Sequence, residues 1–122
     1  MKKLIFVSLM AMLTGSAWAE WVWYSGSNEA SVFYDPATIR KDGNLRRVWT
    51  VANIRYKDGE NSYRARSEFD CKKERYRFLA TSSHSEPMAG GNVLETTFEE
   101  NKWREVAPDT FDQTMLKIVC AK

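Results

Sequence analysis

Between Ser62 and Ala80 the chain alternates apolar and charged side chains with a period of two. From Tyr63 one parity carries Tyr63, Ala65, Ser67, Phe69 and Cys71, and the other Arg64, Arg66, Glu68 and Asp70. After Lys72-Lys73 the alternation resumes, with Tyr76, Phe78 and Ala80 against Arg75 and Arg77. If the chain folds back at Lys72-Lys73, Asp70 lies across from Arg75 and Glu68 across from Arg77. That register also sets Phe69 against Tyr76 and Ser67 against Phe78. One register satisfies both the charge pairs and the apolar pairs, which is how an antiparallel pairing is specified. The stretch predicts a β-hairpin with one buried face.

The first residues predict export. Lys2 and Lys3 precede an apolar run from Leu4 to Leu13 that only Ser8 interrupts, and Ala17-Trp18-Ala19 has the small-x-small form of a cleavage site. Residues 1–19 read as a secretory signal peptide, cut between Ala19 and Glu20, and residues 20–122 as one domain. Ser16 stands where a lipidated cysteine would be needed, so neither a lipid anchor nor a membrane span is expected. Removing Lys2 and Lys3 takes the 18 basic residues to 16, equal to the 16 acidic ones. Bulk charge therefore gives no case for a nucleic-acid partner. Two cysteines, Cys71 and Cys120, in an oxidising compartment predict one disulfide. It closes a loop of about 50 residues, worth roughly 4 kcal/mol. Against a total stability on the order of 5–10 kcal/mol, that is a major term.

The remaining segments suit an antiparallel meander. Glu20 to Tyr24 and Ala30 to Tyr34 read as strands about the turn Gly26-Ser27-Asn28. Pro36 to Ile39 reads as one helical turn with Asp35 as its N-cap. Leu45 to Tyr56 is the longest strand, with Val48, Thr50, Ala52, Ile54 and Tyr56 on one face and Arg47, Trp49, Val51, Asn53 and Arg55 on the other. Ser82 to Asn92 is polar and reads as a loop; Val93 to Phe98 and Trp103 to Val106 read as further strands. From Thr110 to Cys120 the apolar residues Phe111, Met115, Ile118 and Val119 share a helical face, and Thr110 with Gln113 fits a capping box. The expected fold is α+β: a single antiparallel sheet of about six strands, with a C-terminal helix packed on one face and tied by the disulfide.

An ordered set of residues resembles the surface-adhesin protein E family of Gram-negative bacteria. It comprises Tyr34-Asp35 with Thr38-Ile39, the Trp49 strand, Glu68-Phe69-Asp70-Cys71, Met88 before Gly90-Gly91, Trp103 with Val106-Ala107-Pro108, and Val119-Cys120. The resemblance implies the same sheet-and-helix fold and a role in binding host glycoproteins. It also implies display as a lipoprotein, from which Ser16 departs. A periplasmic or secreted binding module is therefore expected, engaging a protein or glycan of the host or envelope. The alternative is a soluble periplasmic inhibitor or envelope-homeostasis protein, for example one acting on a cell-wall hydrolase.

No enzyme, cofactor or metal is expected. His84 is the only histidine and lacks Ser-His-Asp or Cys-His spacing, so it reads as an exposed loop residue. One histidine and two distant cysteines do not make a zinc site. Glu68 and Asp70 have the spacing for acid/base work, but their cross-strand partners explain them as surface ion pairs. For partner binding the candidates are Arg64, Arg66, Arg75 and Arg77, which cluster with Lys72 and Lys73 on the outer face of the hairpin, and His84 and Met88 in the polar stretch.

Overall fold

The computed structural model describes residues 20–98 and 101–121; the expected signal peptide and its Ala19 cut lie outside them. Eight strands are present among the described residues: β1 (Val22–Gly26), β2 (Ala30–Tyr34), β3 (Arg40–Asp42), β4 (Leu45–Tyr56), β5 (Gly59–Asp70), β6 (Arg75–Glu86), β7 (Gly90–Thr97) and β8 (Arg104–Glu105). The sheet order is β1-β2-β4-β5-β6-β7, every pairing antiparallel. The short β3 and β8 add to β4 and β6. One helix, α1 (Phe111–Cys120), follows.

The opening hairpin has the expected register: Asp70 faces Arg75, Phe69 faces Tyr76, Glu68 faces Arg77 and Ser67 faces Phe78. Beyond that the alternation breaks. Arg66 pairs with Ala80, so Leu79 is an extra residue in β6. A bulge of this kind moves every later side chain to the opposite face. Ala80 therefore joins the arginine face instead of the Tyr76–Phe78 face, and Ser82 and His84 follow it, paired with Arg64 and Ser62.

The expected loop at Ser82 to Asn92 is instead mostly strand. β6 runs on to Glu86, only residues 87–89 turn, and β7 begins at Gly90. Distant side chains hold that turn. Ser62 Oγ donates to the Glu86 carbonyl at 2.6 Å and accepts from the Ala89 amide at 2.9 Å. Asn53 Oδ1 accepts from the Met88 amide at 2.8 Å. These bonds hold Met88 and Ala89 at positive φ, which non-glycine residues seldom adopt without support.

The core lies where α1 meets the sheet: Val48, Phe69, Met115, Leu116 and Val119, ringed by Tyr24, Tyr34, Ile39, Tyr76, Val106, Ile118 and Cys120. Burying these apolar surfaces supplies the main stabilising term. Of the expected helical face Met115 and Val119 are buried and Phe111 and Ile118 half-buried, and Leu116 is buried as well. Thr110 Oγ1 accepts from the Gln113 amide at 3.2 Å, and Gln113 Oε1 accepts from the Asp109 amide at 3.0 Å, satisfying the first turn. The Cys71–Cys120 disulfide spans 49 residues of sequence and ties the last helical turn to the end of β5. No helix among the described residues is long and apolar enough to cross a membrane.

Candidate functional site: a face of arginine and tryptophan

The face of the sheet opposite α1 carries alternate residues of β4, β5 and β6, and these bring together Arg47, Trp49, Arg64, Arg66, Glu68, Asp70, Arg75 and Arg77. A single turn of 3-10 helix, Pro36–Thr38, positions Trp49. Asp35 caps it, accepting from the Ala37 amide at 3.0 Å. Thr38 Oγ1 donates to the Asp35 carbonyl at 2.7 Å and accepts from the Trp49 amide at 3.0 Å.

Glu68 and Asp70 are not surface ion pairs, because long arginine side chains lie over them. Glu68 is 1% exposed. Its Oε2 accepts from Arg47 Nε at 2.8 Å, and its Oε1 from Arg77 Nε at 2.9 Å and Nη2 at 2.8 Å. Asp70 Oδ1 accepts from the amides of Lys72 and Lys73, each at 3.1 Å, and its Oδ2 from Arg75 Nε at 3.1 Å. Burial pushes the Asp70 carboxyl up, but the Lys73 amide, the Arg75 guanidinium and the Lys72 amide together hold it below the usual carboxylate range. These carboxylates organise the arginines.

Two tryptophans brace the guanidinium groups. The Arg75 and Arg77 Cζ atoms lie 4.4 and 4.3 Å from the centre of the Trp103 ring, and Arg64 Cζ lies 4.8 Å from that of Trp49. Such stacking is favourable and restricts the side chain. Arg64 and Arg66 differ from the other arginines here. Neither forms a salt bridge among the described residues, and Arg64 is exposed while Arg66 is half-buried. A small cavity of about 240 Å³ beside them is lined by Thr38, Arg40, Val48, Trp49 and Arg66. Trp103 was visible as an aromatic residue, but its place between Arg75 and Arg77 depends on β8 pairing with β6 and has no local signal in the sequence.

Of the two remaining candidates, His84 is buried at the β6 end of this face, while Met88 is exposed in the turn that follows. His84 is 5% exposed and lies in β6, so the expected exposed loop residue is a buried strand residue. Its Nε2 is 2.8 Å from Ser82 Oγ, while Nδ1 is buried without a partner. Burial, and then the Arg64 charge, lower its pKa. Among the described residues no carboxylate orients the ring. Met88 lies in the turn, its Sδ 3.2 Å from Asn53 Nδ2. Among the described residues no three His, Cys, Asp or Glu side chains gather as a metal site. Exposed apolar side chains lie at both sheet edges: Val22 and Trp23 on β1, Val93 and Leu94 on β7 and, just beyond it, Phe98, which is 80% exposed.

The model of the family described as surface-adhesin protein E matches residues 21–121. The chain belongs to the surface-adhesin protein E family. No curated protein sequence matches it. Among solved structures, crystal form II of Haemophilus influenzae protein E is similar with a TM-score of 0.60 at 14% identity, covering 80% of this chain and 91% of that one. A second structure of Haemophilus influenzae protein E gives 0.60 at 15% identity, covering 83% of each chain. Its selenomethionine form gives 0.59 at 15% identity, covering 80% and 90%. At these identities the likeness is one of fold. The fold is thus shared, and both the family and this chain's Cys71–Cys120 disulfide go with an exported protein.

Proposed function

We propose that this adhesin-E domain is a non-enzymatic binding module, exported without a lipid anchor after cleavage at Ala19-Glu20, that engages an acidic protein or glycan through its arginine–tryptophan face. One observation carries the reading. Arg64 and Arg66 project from a braced lattice in which the neighbouring arginines are already neutralised. Cations without an internal carboxylate partner, Arg64 braced besides on Trp49, suit recognition of carboxylate or sulfate groups, since little side-chain freedom is lost on binding. Arg75 and Arg77 support the surface but are committed to Asp70 and Glu68.

The test is capture of candidate host and envelope glycoproteins at physiological salt by the wild type and by the Arg64→Glu/Arg66→Glu double variant. Wild-type capture is expected to fall by roughly tenfold in the variant and to weaken with added salt. Equal capture by both proteins overturns the reading. A parallel lysozyme assay addresses the periplasmic-inhibitor alternative: inhibition without glycoprotein capture replaces adhesion with that role.

A further inference from the structure

The helix-bearing face of the sheet holds a second feature, independent of the arginine face. A cavity of about 460 Å³ opens between the sheet and the first turns of α1. That volume lies within the range of small-molecule sites, roughly 300–1,000 Å³. Its origin is in the sequence. Ala52, Ala65 and Ser67 place small side chains on the helix-facing side of β4 and β5, where larger ones would fill the space. Tyr24, Tyr63, Phe78 and Phe111 form aromatic walls around them, and Tyr63 is exposed at the rim.

The charges at the cavity are of one sign. Asp109 and Asp112 line it, and no lysine, arginine or histidine does. Burial pushes the Asp112 carboxyl up against the opposing effects of a hydrogen bond from Tyr76 and the nearby Arg104 charge. Burial, and then the Asp112 charge, also push the Tyr24 hydroxyl up. An anionic amphiphile such as a fatty acid would enter against two carboxylates. A cation would relieve them, and a ring attached to it would meet the aromatic walls.

We propose that this cavity is a binding site for a small aromatic amine, its ring between the walls formed by Tyr63, Phe78 and Phe111 and its ammonium group at Asp112.

The test uses the disulfide-intact protein and two probes of similar shape and opposite charge, tryptamine and indole-3-propionate, followed by amide NMR shifts. Saturable shifts are expected at Ala65, Phe78 and Phe111, with tryptamine roughly tenfold tighter than the acid. Asp112→Asn is expected to bring the two probes to similar affinity, and Ala65→Leu to abolish both by filling the space. Should Ala65→Leu fail to fold, Asp112→Asn still decides the charge preference. The proposal fails if tryptamine gives no saturable shift at these residues, if the acid binds as well as the amine, or if Asp112→Asn leaves the preference unchanged. Failure here leaves the arginine-face reading untouched, because the Arg64/Arg66 variant tests the opposite side of the sheet.

Discussion

At the scale of single residues, Glu68 is the pivot of the arginine lattice. One buried carboxylate accepts from two guanidinium groups on neighbouring strands. Glu68→Ala leaves Arg47 and Arg77 facing each other without the anion between them. Both arginines are partly solvated, so the expected cost sits at the low end for breaking a buried pair, about 3 kcal/mol, read from urea unfolding. A loss below about 0.5 kcal/mol would place Glu68 with ordinary surface residues instead. His84 gives the second residue-scale expectation. Its folded pKa is depressed, so the unfolded chain takes up a proton more readily. Stability is then fully present above the unfolded value, about 6.5, and declines as pH falls below it, before most carboxylates titrate. Thermal melts from pH 7.5 to 5 should show that decline in the wild type and a flatter profile in His84→Gln; parallel profiles would contradict it.

At the scale of elements, the disulfide and the bulge are the features to perturb. Cys71→Ser/Cys120→Ser is expected to lose about 4 kcal/mol. A reducing agent should lower the wild type to the level of the double variant and leave the variant unchanged; a reductant-insensitive wild type would refute this. Deleting Leu79 removes the extra residue of β6 and would send Ala80, Ser82 and His84 back to the helix-bearing face. The expected cost is about 3 kcal/mol, the upper end of ordinary single changes, with loss of the His84 shielding visible in its ring NMR signals. These two features also mark how far the sequence could be read. The β5–β6 register was legible because charge and apolar pairs agree on one alignment, and the helix because its cap and periodicity coincide. The bulge was not, since Phe78-Leu79-Ala80 is apolar at every position and parity carries no information there. Ser82 to Asn92 read as a loop for a related reason. Its serines and glycines favour turns locally, and the bonds from Ser62 and Asn53 that order the turn come from strands far away in sequence. The arginine cluster was legible as composition, but which members remain free depended on Glu68 and Asp70 being covered.

At the scale of the whole molecule, both edges of the sheet expose apolar side chains, Val22 and Trp23 among them on β1. β7 is an edge strand with exposed Val93 and Leu94, and Phe98 follows it. An apolar edge with unpaired backbone groups favours strand-to-strand association. Val93→Lys or Leu94→Lys is expected to reduce concentration-dependent association in sedimentation velocity without changing the melting temperature by more than about 2 °C. Identical sedimentation of wild type and variants would dissociate the edge from any such behaviour.

The sheet order has a kinetic corollary. Along β1-β2-β4-β5-β6-β7 each long strand pairs with the one formed just before it, and β3 folds back onto its own successor. Pairing of 12-residue strands along their whole length still rests on contacts between residues far apart in sequence, which sets assembly among the slower, sheet-dominated folds. The sheet can zip from the amino end onward, with Cys71 waiting at the end of β5 until the closing helix delivers its thiol partner.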